Sequence, residues 1–169
     1  GSNSWDPEPI WIWESMPVTN PISGDIVWFE RNFEVTGTPT AGELKIACDN
    51  GYAVWLNGKF VGKSDTLPQF VGQDDDYDVS MLGDLKQPYV HTTGWQTFGT
   101  FDVTSYLLEG TNILKIMGVN EYMNTDDAND PEGTTLLNPG GLTFSMNVDW
   151  EREPECIITA DETAWGECT

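Results

Sequence analysis

The stretch Gly51-Tyr-Ala-Val-Trp-Leu-Asn-Gly-Lys-Phe-Val-Gly62 reads as two short strands joined at a turn that few residue types can make. Asn57-Gly58 supplies the two positive-φ positions of a type I′ turn, whose twist matches that of the strands it joins. The apolar runs Val54-Trp55-Leu56 and Phe60-Val61 flank it as the arms of a hairpin. The segments on either side extend this β reading.

Upstream, the chain from Asp25 to Val35 places Val27, Phe29, Phe33 and Val35 on one face and Trp28, Glu30, Asn32 and Glu34 on the other. That is the period of a half-buried strand. After the turn-rich residues 36–42, Leu44, Ile46 and Cys48 alternate with Glu43, Lys45 and Ala47, and Asp49-Asn50-Gly51 turns the chain into the hairpin. Downstream, Phe101-Asp-Val103 predicts a strand, 104–108 a single helical turn, and Glu109-Gly-Thr-Asn112 a connection into a strand over 113–119. The last strand has the cleanest alternation, with Leu142, Phe144, Met146, Val148 and Trp150 on one face and Thr143, Ser145, Asn147 and Asp149 on the other. Pro9-Ile-Trp-Ile-Trp13 suits an edge strand, since prolines at 7, 9 and 17 keep it from a central position. Short strands separated by Gly, Pro, Asn and Asp clusters predict an all-β fold of two packed antiparallel sheets.

Three segments together resemble a known family. Trp28-Phe-Glu-Arg-Asn-Phe33, the hairpin at 51–62, and Phe101-Asp-Val-Thr-Ser-Tyr-Leu-Leu-Glu-Gly-Thr-Asn-Ile-Leu-Lys-Ile116 are similar to the galactose-binding-domain-like jelly roll. The nearest pattern is the N-terminal sugar-binding-like β-sandwich of family 2 glycoside hydrolases and similar modules of prokaryotic surface proteins. The resemblance covers residues 26–150 in pieces and implies a two-sheet antiparallel jelly-roll sandwich with long loops. With the alternation, it implies a core of Leu44, Ile46, Val54, Leu56, Leu114, Ile116, Leu142, Phe144 and Met146. It also implies that catalytic acids, where the family has them, lie in another domain, and that sugars are bound by loops at one end. The family pattern passes more directly from hairpin to FDVT strand, so 64–94 reads as an insertion.

At 169 residues the chain accommodates one domain with a sizeable core. The expected organisation is 1–8 as expression scar and leader, 9–150 as the sandwich, and 151–169 as a linker or the start of a following module. Eight tryptophans, seven phenylalanines and five tyrosines provide ample apolar area for that core. The net charge of −21 repels phosphate backbones and anionic lipid, which argues against nucleic-acid and membrane-surface partners. The sequence shows no apolar run long enough to insert in a membrane. Such acidity favours bound cations or a basic partner, or serves solubility alone. Cys156 and Cys168 suit a disulfide of an oxidising compartment and leave Cys48 as a small buried hydrophobe, though count and spacing do not fix that pairing.

Two interruptions of the strand pattern, 63–94 and 120–141, are long enough to carry function. The first presents Asp74, Asp76 and Asp78 in alternation; the second presents Asp126, Asp127, Asn129 and Asp130. Carboxylates along irregular loops suit Ca²⁺, which takes six to eight hard oxygens. Neither loop has the glycine and terminal glutamate of an EF-hand, and solvated acidic loops are the competing reading. Trp95 and Tyr77 are the candidate ligand-facing aromatics. Trp11, Trp13, Trp28 and Trp55 offer further stacking faces unless they pack beneath loops, the commoner fate of an outward aromatic in a sandwich. His91, the sole histidine, supports no nucleophile–base arrangement, and one histidine with three scattered cysteines shows no zinc spacing. The sequence therefore predicts a noncatalytic module of a larger secreted or cell-surface protein, acting in adhesion or assembly on a glycan or another surface protein and stabilised by Ca²⁺. The alternatives are a carbohydrate-binding module attached to a glycosidase and, further off, a hydrolase in its own right.

Overall fold

The computed structural model describes residues 10–12, 25–65, 67, 74, 97–120 and 140–152. They form seven strands: β1 (Asp25–Val35), β2 (Thr38–Asp49), β3 (Gly51–Leu56), β4 (Lys59–Lys63), β5 (Gly99–Asp102), β6 (Gly110–Asn120) and β7 (Gly141–Glu151). A single 3-10 turn, Thr104–Tyr106, lies between β5 and β6. One sheet has the order β1-β6-β3-β4 and the other β5-β2-β7. All the pairings are antiparallel, so the expected all-β two-sheet sandwich is the fold.

The hairpin forms where its sequence places it. Asn57 and Gly58 adopt φ of 54° and 76°, the left-handed values of the I′ turn, between β3 and β4. Opposite this hairpin, the Phe101 ring lies so close to Gly62 that a Cβ there would approach it to 2.3 Å. Glycine at 62 is thus what lets β4 sit against the other sheet.

Leu44, Ile46, Cys48, Val54, Leu56, Leu114, Ile116 and Leu142 are buried between the sheets, together with Tyr52, Val103 and Leu107. Phe144 and Met146 are only half-buried, as are Val27, Phe29 and Phe33 of the facing strand β1. Both strands lie at an end of their sheet order, so their inner faces meet fewer opposing residues. At the outer edge of β7, Ile12 pairs with Leu142 through two backbone hydrogen bonds of 2.8 and 2.9 Å. The Thr143 hydroxyl also donates to the Ile10 carbonyl at 3.2 Å, so the early Ile-Trp-Ile segment does lie at a sheet edge.

Two expectations are corrected. Residues 110–112, read as part of a connection, already belong to β6, whose pairing with β1 runs through to Gly110 opposite Val35. The stretch 36–42 is not a turn region, because β2 already begins at Thr38, and the bend is confined to Thr36 and Gly37. Pro39 is accommodated because the β2–β7 register shifts between Pro39 and Ala41, at an irregularity where a missing N–H costs no regular ladder bond.

Candidate functional site

The outer face of the three-stranded sheet carries a groove of about 380 Å³. Its floor is Ala41, Gly42 and Glu43 of β2; one wall is Thr100 and Asp102 of β5 with Thr104, and the other is Asn147 and Asp149 of β7. The strand order places these residues together, since Glu43 is paired across to both Asp102 and Asn147, and Ala41 to Asp149. Ala41 and Gly42 bring only a methyl group and bare backbone to the floor, which leaves a trough between the two walls.

Hydrogen bonds fix one wall. The Gly42 amide donates to the Thr104 hydroxyl at 3.0 Å, and the Val103 amide donates to the Gly42 carbonyl at 2.9 Å. The Thr104 hydroxyl in turn donates to Asp102 Oδ1 at 2.6 Å, and the Thr104 amide donates to the same oxygen at 3.0 Å. These two donations, the hydroxyl's first, hold the Asp102 carboxyl below the usual carboxylate range. Asp102 is therefore an ionised acceptor at neutral pH. Glu43 pairs with Lys45 at 3.3 Å, in a setting exposed enough for the pair to contribute little to stability. The groove thus offers carboxylates, an amide and hydroxyls around the small residues Ala41 and Gly42, a surface suited to a ligand rich in hydroxyl donors.

Acid catalysis needs a carboxyl held protonated near neutral pH. Among the described residues the carboxyl raised by burial is Asp49, at the far end of β2. Asp49 lies six positions along the strand from Glu43, roughly 20 Å, so it does not pair with the groove acids. Among the described residues no group of three or more His, Cys, Asp or Glu is arranged to hold a metal ion. None of their helices is long and apolar enough to cross a membrane.

Of the residues singled out from the sequence, Asp74 is described, and both its oxygens face the hairpin. Oδ1 accepts from the Phe60 amide at 2.8 Å and Oδ2 from Lys59 Nζ at 3.0 Å. The amide first, then the lysine, pull the Asp74 carboxyl below its usual value. Asp76, Tyr77, Asp78, His91, Trp95, Asp126, Asp127 and Asp130 lie outside the described residues, as do Cys156 and Cys168. Trp55 is no stacking face: it is 1% exposed, with Trp28 and Phe60 at ring-centroid distances of 5.8 and 5.7 Å. Trp28 stays 36% exposed beside this cluster, with Lys115 Nζ 5.1 Å from its ring centre. Cys48 is buried, and burial pushes its thiol far above the ordinary range, which makes it an inert core residue.

The groove residues were missed in the sequence because they are ordinary outward positions of alternating strands. Their signal was the polar set Thr143, Ser145, Asn147, Asp149 facing Glu43 and Lys45, which acquires meaning only once β2 is known to pair with β7 and β5.

No protein-family model matches this chain, and no curated protein matches it. Solved glycoside hydrolase chains do match, through a β-sandwich module. An α-L-rhamnosidase of Streptomyces avermitilis, solved with L-rhamnose, aligns with a TM-score of 0.54 at 21% identity over 82% of this chain and 10% of its own. An α-L-rhamnosidase of Aspergillus terreus aligns at 0.47 and 17% identity over 80% of this chain and 14% of its own. A glycosyl hydrolase family 2 member of Bacteroides cellulosilyticus aligns at 0.44 and 16% identity over 81% and 15%. The resemblance expected from the hairpin and its flanking strands holds at the level of the fold. This chain spans only 10% of the length of the Streptomyces protein.

Proposed function

We propose that this chain is a noncatalytic β-sandwich module of a larger glycosidase-like protein, acting outside the cell, and that it works by holding a hydroxyl-rich saccharide in the groove over β2. The observation that carries the reading is the match covering 82% of this chain but 10% of a rhamnosidase, the proportion of an accessory module to a multidomain enzyme. The groove supports the binding role. Ionised Asp102, with Glu43, Asp149 and Asn147, accepts from sugar hydroxyls, Asn147 also donates, and Ala41 offers a small apolar floor to sugar C–H groups. The adhesive or assembly role expected for such a surface module is the same contact made with a glycan on another surface.

The test is titration of a panel of mono- and oligosaccharides followed by chemical-shift changes, with turnover of aryl glycosides measured in parallel. Saccharide binding that is lost in Asn147→Ala and Asp149→Ala, with melting unchanged within about 0.5 kcal/mol as for ordinary surface changes, sustains the reading. Binding that survives both variants moves the site to the segments bearing Tyr77 and Trp95 and removes the groove. Turnover by the purified chain removes the noncatalytic role. The Ca²⁺ expectation for Asp74, Asp76, Asp78, Asp126, Asp127 and Asp130 is read separately, by melting in millimolar Ca²⁺ against excess chelator at matched ionic strength. A site there raises the melting temperature through ligand linkage, and superimposable curves eliminate it.

A further inference from the structure

Asn57 does more than make a turn. Its amide nitrogen Nδ2 donates to the Tyr106 carbonyl and to Asn112 Oδ1, each at 2.8 Å, and its Oδ1 accepts from the Ile113 amide at 2.9 Å. Its backbone N–H donates to the Ile113 carbonyl at 2.9 Å. Asn112, 0% exposed, anchors the other side: Oδ1 also accepts from the Leu108 amide at 2.8 Å, and Nδ2 donates to the carbonyls of Leu108 and Gly110 at 2.7 and 2.9 Å. The two asparagines thereby tie the tip of the β3–β4 hairpin to the segment between the 3-10 turn and β6.

The same Asn57 is followed by Gly58, the neighbour that least obstructs attack of the backbone on an asparagine side chain. We infer that Asn57 is a deamidation site held in check by its hydrogen bonds to Asn112, Tyr106 and Ile113. In the reaction the Gly58 nitrogen, having lost its proton to hydroxide, bonds to Asn57 Cγ. The Cγ–Nδ2 bond breaks and ammonia leaves, taking a proton from water. A succinimide results, and one water opens it to aspartate or isoaspartate; the net change is one water consumed and one ammonia released, with no redox step. Attack requires Asn57 Cγ to reach the Gly58 nitrogen, and the three side-chain bonds oppose any rotation of the side chain that brings it there. Reaction therefore proceeds from states in which the hairpin tip has parted from β6.

The product does not return to the native arrangement. A carboxylate at 57 faces the Tyr106 carbonyl and Asn112 Oδ1, two acceptors, with no donor to give them. An isoaspartate adds a backbone atom to a two-residue turn. Deamidation thus loosens the hairpin irreversibly, and Asn112 acts as a positioning residue that sets how often this happens.

The experiment incubates the full chain in mildly alkaline buffer and maps deamidation by peptide mass spectrometry, which resolves Asn57 from the chain's other Asn-Gly pair, Asn50-Gly51. Native protein should modify Asn57 roughly tenfold or more slowly than protein in concentrated urea, because only the opened fraction reacts. Asn112→Ala should accelerate Asn57 while leaving the Asn50 rate as in the parent chain. Equal rates with and without urea overturn the inference, as does an Asn112→Ala chain that speeds both pairs together, since that is the mark of general unfolding. If Asn112→Ala does not fold, wild-type rates in sub-denaturing urea decide. Asn57 modification should rise in step with hydrogen exchange at the Ile113 amide, and a rate independent of that exchange refutes the control by the hairpin tip.

Discussion

The outer face of the four-stranded sheet is a second apolar layer, in which Trp55 and Met117 are 1% and 2% exposed, whereas the outer face of the three-stranded sheet carries a polar groove. Ala53, Trp55, Leu67, Met117 and Val119 form that layer, with Ile26 and Phe60 packed against it. The chain past β4 helps close it: the Leu67 amide donates to the Ser64 carbonyl at 3.2 Å, and Lys63 Nζ donates to the Leu67 carbonyl at 2.8 Å. A strand buried on both faces must be apolar on both, and all six residues of β3 are buried. On β2 the carboxylate and ammonium of Glu43 and Lys45 face out while Leu44 and Ile46 face in. One sheet buries apolar side chains on its outer face, whereas the other buries Ala47 and Thr143 at one end of its outer face and leaves the polar residues Glu43, Asp102, Asn147 and Asp149 exposed.

The sharpest way to break this contrast is Trp55→Ala. If the outer aromatic is core, its truncation should destabilise the fold by about 3–5 kcal/mol, as for other buried Trp and Phe positions, measured by denaturant unfolding. A change below about 1 kcal/mol would return Trp55 to the surface and make the two outer faces alike.

Phe144→Ala tests the inner side at the sandwich edge. Phe144 is half-buried, so the expected loss is about 2 kcal/mol, less than for Trp55 because fewer of its contacts exclude water. A loss as large as that of Trp55→Ala would mean that the β1–β7 edge is closed as tightly as the centre.

The contrast explains what the sequence disclosed. Alternation located Leu44, Ile46, Leu114, Ile116 and Leu142, because a one-residue slip would have exposed the whole set. The hairpin was legible through Asn57-Gly58, whose backbone requirement is local. Trp55 was ambiguous for a physical reason: alternation assigns an outward residue to a face but says nothing of what covers it, and the cover includes Leu67, from a segment with no strand pattern. Asn112 read as part of a connection, although its side chain ties Asn57 to the chain from Leu108 to Gly110. Pairings between distant segments also created the groove, so no local pattern announced it. The loop residues Asp76, Tyr77, Asp78, Trp95, Asp126, Asp127 and Asp130 stand as sequence expectations, since they lie outside the described residues.

The smallest expected effect is a pH signature that separates the groove wall on β5 from the C-terminal end of β2. Asp102 has a carboxyl lowered by Thr104, so its ionised form is favoured in the folded state; the stability it adds is present above the ordinary aspartate pKa and is lost as pH falls toward the lowered value. Asp49 has the opposite sign. Burial raises its carboxyl, so its destabilising effect is absent below the ordinary value and grows as pH rises through the raised one. Asp102→Asn should therefore lower the melting temperature slightly at neutral pH, with the difference closing in acid. Asp49→Asn should raise it at neutral pH, and that difference should also close in acid. Melting curves of the two variants and the parent across this range give the signs directly. A rise for Asp102→Asn would show that the groove wall is not held by Thr104's donations, a fall for Asp49→Asn would show that burial of its carboxylate is not the cost, and pH-independent shifts would trace both effects to packing rather than to charge.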